Sequence, residues 1–160
     1  MKRASTIFLQ IVIVFIGLGV LTLMLRMPLF EGRNVNATLF QVYFNDPFLA
    51  YVYTASIAFY ASLFQAYKLL NCIRQNQLFS QAAVKYLMTI KYCAIALAGF
   101  ILGAEAYFFI ALFGKDDIAG GVMMGIILIF ISIVVATAAA IFERTLQCAV
   151  DIKSENDLTI

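Results

Sequence analysis

The sequence predicts an all-α integral membrane protein, a four-transmembrane-helix antiparallel bundle with both termini on the cytoplasmic side. Three observations predict it: composition, four long apolar runs, and the placement of lysine and arginine. Of the 160 residues, 64% are hydrophobic and 12% are charged, and the mean hydropathy is +0.95. A soluble domain carries roughly 25% charged residues, so a water-solvated core cannot absorb this excess. Residues 1–160 therefore read as a single membrane domain. Its spans are expected at about 6–25, 48–67, 92–113 and 118–142, with a cytoplasmic tail at 143–160.

Lys2 and Arg3 precede the first run, Thr6 to Leu25. That run has the length of a full span, about 20 residues, and no small-residue cleavage site follows it, so it reads as a retained helix. Arg26 to Pro47 forms the longest connection. Its first half is polar, and its second half, Leu39-Phe40-Gln41-Val42-Tyr43-Phe44, suits the membrane interface. Asp46-Pro47 supplies a cap and an N1 proline for the second helix. Within that helix Tyr53, Tyr60 and Tyr67 recur every seven residues and form one stripe.

The second connection, Lys68 to Lys91, holds Lys68, Arg74, Lys85 and Lys91 without an acid. It includes the start of helix three, which Ser80 caps near Gln81. The link Gly114-Lys115-Asp116-Asp117 turns helices three and four into a hairpin. Gly99-x-x-x-Gly103 and Gly121-x-x-x-Gly125 then predict close backbone contact between them, and Ser132, Ala136 and Ala140 extend the small face of helix four. Helix four runs on as a polar helix into the tail.

The N-terminus, second connection and tail hold 2, 4 and 2 basic residues, against 2 and 1 in the first and third connections. Excess basic charge stays in the cytoplasm, which fixes both termini there. Cys72, Cys93 and Cys148 then lie at or near cytoplasmic ends, where thiols stay reduced.

Glu105 is the only charge within the uncharged parts of the four runs. A carboxyl at membrane depth is costly and marks a functional site by default. On a helical wheel it shares a face with Ala94, Ala98, Ile101 and Leu112. It sits ~12 Å below the outer interface at about 1.5 Å per residue. Equal depths on the other helices fall near Gly17, Ser56 and Gly125. The expected membrane polar site is therefore Glu105, Tyr53, Ser56 and Tyr60, with the tyrosines as hydrogen-bond donors. Three readings stay open: a neutral carboxyl bonded across helices, a ligand or proton site, or a side chain that snorkels outward.

The tail ends Lys153-Ser154-Glu155-Asn156-Asp157-Leu158-Thr159-Ile160. It is acidic where the second connection is basic, and it ends on apolar residues. The expectation is a tail that folds back, with Leu158 and Ile160 docked at the bundle mouth and Asp157 near Arg74 and Lys85. These five residues form the expected cytoplasmic contact surface.

Glu31-Gly32, Asn36-x-x-Leu39-Phe40-x-x-Tyr43-Phe44, Leu78-Phe79-Ser80 and the closing Lys-Ser-Glu-Asn-Asp-Leu-Thr-Ile resemble a bacterial membrane family catalogued as domain of unknown function 2975. The resemblance covers nearly the whole chain and implies a multi-pass protein of the bacterial cytoplasmic (inner) membrane. It also implies a partner, since members are often encoded beside a small helix-turn-helix regulator. It carries no catalytic residues.

The functional expectation is a non-enzymatic sensor or regulatory interaction protein whose immediate surroundings are the lipid bilayer. The alternative is a small transporter or toxin-immunity factor that uses Glu105. The chain has no His, which removes imidazole-based metal and haem ligation and His-dependent catalysis; no metal or other cofactor is expected. A net charge of +2 gives no basis for direct nucleic-acid contact. Topology is open to a direct check. In a variant without its native cysteines, a single cysteine introduced by Ser154→Cys should resist a membrane-impermeant thiol reagent applied from outside; labelling in intact cells would reject the orientation.

Overall fold

The structure, a computed structural model, describes residues 3–30, 38, 40, 43, 46–112 and 118–158. Four helices account for nearly all of them: α1 (Arg3–Phe30), α2 (Pro47–Arg74), α3 (Gln81–Tyr107) and α4 (Ala119–Leu158). Helix α3 continues directly into a π-helical turn, Phe108–Leu112. All four helices are long and apolar enough to cross a membrane, so the chain is a multi-pass membrane protein.

The helix starts follow local chemistry. Asp46 Oδ1 accepts the Phe48 N–H at 2.9 Å and the Leu49 N–H at 3.4 Å, with Pro47 in the first turn. These donors lack intrahelical partners, which is why a carboxylate caps them. Ser80 Oγ does the same for the Ala83 N–H at 3.3 Å. Between α2 and α3 the chain reverses with Asn76 at φ 56°, a left-handed conformation that asparagine tolerates better than most residues. Helix α1 extends past the expected Leu25 and carries Pro28 near its end. The expected link 114–117 lies outside the described residues.

Packing follows chain order: α3 packs most extensively on α4, next on α2, and α1 rests on α2. The α3–α4 seam is buried at Ala83, Leu87, Ile90, Ala94, Ala98 and Glu105 on α3, and at Gly125, Ser132, Ala136, Ala139 and Leu146 on α4. These positions step by three, four or seven residues, the spacing of a left-handed helix pair. At the end bearing both termini, Ala83, Val84, Leu87 and Leu146 form a hydrophobic cluster flanked by Leu69, Leu78 and Val150.

Three sequence expectations change. Gly99 faces open space and Gly103 faces the Tyr51 hydroxyl, so helix three's glycine pair contributes nothing to the α3–α4 contact. The tyrosine stripe of α2 faces α1: Tyr53 donates to the Met24 carbonyl at 3.4 Å and Tyr60 to the Gly17 carbonyl at 3.0 Å. The tail does not turn back. Helix α4 is continuous to Leu158, because Glu143 to Leu158 contains neither Gly nor Pro to break it. The backbone at Asp157 and Leu158 therefore continues the helix in place of the expected fold-back; Ile160 lies outside the described residues.

One ion pair crosses the seam. Lys91 Nζ lies 2.6 Å from Glu143 Oε2, with side chains only 21% and 14% exposed. Such a pair adds little net stability, but removing one partner strands the other's charge. Lys91→Met alone should cost about 3–5 kcal/mol, and the double variant Lys91→Met, Glu143→Leu should recover most of it. Denaturation in detergent measures both; equal losses would show that the pair is not coupled.

Candidate functional site

Glu105 lies in the last turn of α3, 8% exposed, with its Oε2 buried and unpartnered among the described residues. Its side chain crosses to α4 and rests on Gly125. A Cβ placed on Gly125 would overlap Glu105 Oε1 and would stand 2.6 Å from Cδ. One turn later the Phe108 ring covers Gly121, 3.1 Å from where a Cβ would be. The Gly121-x-x-x-Gly125 notch thus receives two side chains of α3, Phe108 and Glu105, where a facing glycine pair was expected.

Aromatic packing closes this end of the molecule. Phe48 stacks on Tyr107 with centroids 5.6 Å apart and packs on Phe108 at 5.4 Å. Tyr51 packs edge-on against Phe100 and donates its hydroxyl to the Phe100 carbonyl at 2.7 Å. The helix then widens into the π turn beginning at Phe108, a geometry that is rare and found often at functional sites.

Gly125, expected at equal depth, is at Glu105, while Tyr53, Ser56 and Tyr60 of the expected polar site are not. Tyr53 and Tyr60 bond α1, and Ser56 Oγ donates to the Tyr53 carbonyl in its own helix at 2.7 Å. The α2 residues level with this end of α3 are Phe48 and Tyr51. Lys91 is fourteen residues from Glu105, about 21 Å along the helix, and is engaged by Glu143. Glu105 therefore has no ion-pair partner among the described residues. As a lone oxygen donor this carboxyl is poorly equipped to hold a metal ion.

At the opposite end, Arg74 is exposed and donates to Asn71 Oδ1 at 2.7 Å. Lys85 is exposed as well, whereas Lys68 Nζ sits 4.4 Å from the Phe64 ring centroid and 5.9 Å from that of Tyr86. Beyond Val150, Asp151 to Glu155 are all exposed on an intact helix. Two features escaped the sequence reading, the Lys91–Glu143 pair and the seating of Glu105 on Gly125. The hairpin carries a signal for both. Pairing residues about its link at 114–117 sets residue 105 opposite about 126 and residue 91 opposite about 140, each within one turn of the observed partner.

The close fit at Gly125 is testable. Gly125→Ala should destabilise the protein by about 1–3 kcal/mol through overpacking, and adding Glu105→Ala should relieve most of it. Gly99→Ala, in open space, should have no such cost. Thermal melts in detergent decide; additive losses for the Gly125 and Glu105 changes would contradict the contact.

A family model described as "Protein of unknown function (DUF2975)" matches residues 37–160. The chain is 40% identical, over the full length of both sequences, to "Uncharacterized membrane protein YoaS" of Bacillus subtilis. No solved structure matches.

Proposed function

The chain belongs to the DUF2975 family of unknown function, and from that premise we propose that it is a non-enzymatic sensor or regulatory interaction protein whose contact element is the projecting end of α4. The carrying observation is the reach of that helix. Its 40 residues extend about 60 Å, roughly twice the ~30 Å hydrocarbon core. Leu146 and Val150 pack into the cluster at the base of α3, so the projecting part is anchored where it leaves the membrane. Past that anchor Asp151, Ile152, Lys153, Ser154 and Glu155 are exposed. Ile152, 61% exposed, offers apolar area to a partner between carboxylates that would meet a basic surface.

The partner proposed is a small helix-turn-helix regulator encoded nearby, with the platform of Arg74 and Lys85 as a secondary contact. A photo-crosslinking residue at Ile152 in the full-length membrane protein should yield an adduct with that regulator. The adduct should weaken when the flanking acids are reversed by Asp151→Lys and Glu155→Lys, and a crosslinker at exposed Phe130 should give none. Absence of the regulator from Ile152 adducts would reject the reading.

The buried, unpartnered oxygen of Glu105 supports a second reading, a proton-coupled transporter or toxin-immunity factor. Loss of resistance or of pH-driven efflux in a folded Glu105→Gln variant, with Ile152 adducts retained, would favour it over the first.

A further inference from the structure

The tyrosines of α2 and the carbonyls of α1 share a seven-residue period. Tyr53 meets the carbonyl of Met24, and Tyr60 meets that of Gly17. The next rung would set Tyr67 on the carbonyl of Gln10, but this bond is not made: the Tyr67 hydroxyl has no hydrogen-bond partner among the described residues. Here the α1–α2 seam opens into a groove of about 310 Å³, running from Arg74 and Ile7 at its mouth past Gln10, Tyr67 and Phe15 to Leu18. Gln10 is 5% exposed, and its Nε2 finds no acceptor among the described residues.

Three groups along this groove can donate: the Tyr67 hydroxyl, the Gln10 amide nitrogen and the Arg74 guanidinium, which also bonds Asn71. Among the described residues, no carboxylate lines it. Its walls are otherwise aliphatic or aromatic. From Ile7 to Leu18 it runs about 16 Å along α1, roughly half of the ~30 Å hydrocarbon thickness and so about one leaflet. A cation at the mouth, donors in the upper part and an apolar trough one leaflet deep complement a single kind of occupant. We propose that this groove binds one anionic phospholipid, its phosphate at Arg74, its ester oxygens at Tyr67 and Gln10, and an acyl chain along Phe15 and Leu18. Basic sites between transmembrane helices recognise anionic headgroups in this manner. The bound lipid supplies the acceptors that the missing rung leaves absent and fills the gap between α1 and α2. The site stands apart from Glu105 and from the projecting end of α4.

The chain has no Trp, so Phe15→Trp places a sole tryptophan, excited selectively at the red edge of the tyrosine band, on the groove wall. The full-length variant is reconstituted in phosphatidylcholine vesicles containing equal mole fractions of either phosphatidylglycerol or phosphatidylcholine with brominated chains. Brominated phosphatidylglycerol should quench with an apparent affinity about fivefold higher, the preference that one cation near the surface confers. Adding Arg74→Gln should abolish the preference; because Arg74 is exposed, the fold survives its loss. Tyr67→Phe should weaken it. Arg144→Gln, an exposed cation at the same end but outside the groove, should leave it intact. Equal quenching by both lipids, or a preference that survives Arg74→Gln or falls equally with Arg144→Gln, would mean bulk bilayer lipid only and would overturn the site.

Discussion

The close approach of α3 and α4 is the constraint on which the rest of this structure depends. In lipid no water is released when apolar helices meet, so association relies on van der Waals contact and on residues small enough to permit it. Ala94 and Ala98 on α3, with Ser132, Ala136 and Ala139 on α4, provide that contact along the middle of the seam. Close approach there confines the larger groups to its two ends. At one end Gly125 leaves room for Glu105; at the other the helices hold the Lys91–Glu143 pair and then the Leu87–Leu146 cluster. Helix α2 adds to this pair through aromatic contacts, and α1 adds to α2.

Much of this was legible in the sequence. Four spans, the Asp46-Pro47 and Ser80 starts, the small face of α4 and the inward direction of Glu105 all follow from residue type and helical period. The error lay in relative height. Counting depth from an assumed interface set Ser56 level with Glu105, whereas Tyr51 on Phe100 and Phe48 on Tyr107 set α2 about two turns away from that alignment. Large aromatic side chains fix such offsets, and their rotamers are not visible in a hydropathy pattern. The π turn was equally hidden, because Phe108-Phe109-Ile110-Ala111-Leu112 reads as ordinary apolar helix. The tail misled for another reason. Exposed opposite charges attract weakly, too weakly to bend a segment that contains no helix breaker.

The notch that receives Glu105 and the exposed end beyond Val150 lie on one helix. Helix α4 runs without interruption from Gly125, which carries Glu105, to Glu155, about 45 Å away. The two proposed readings therefore concern two points along this helix, with the Leu146 contact between them.

Helix α1 is recognised through its backbone. Tyr43, Tyr53 and Tyr60 all bond to its carbonyl oxygens, and every residue of any helix offers one. Even Gly17 has ordinary van der Waals room for a methyl group beside Leu63 and Tyr60. Contacts of this kind do not discriminate one register from another: sliding α1 by seven residues presents the same ladder of acceptors to the same hydroxyls. Thr6 and Gln10 are buried polar side chains on this mostly apolar helix, and side chains, unlike carbonyls, differ from one register to the next.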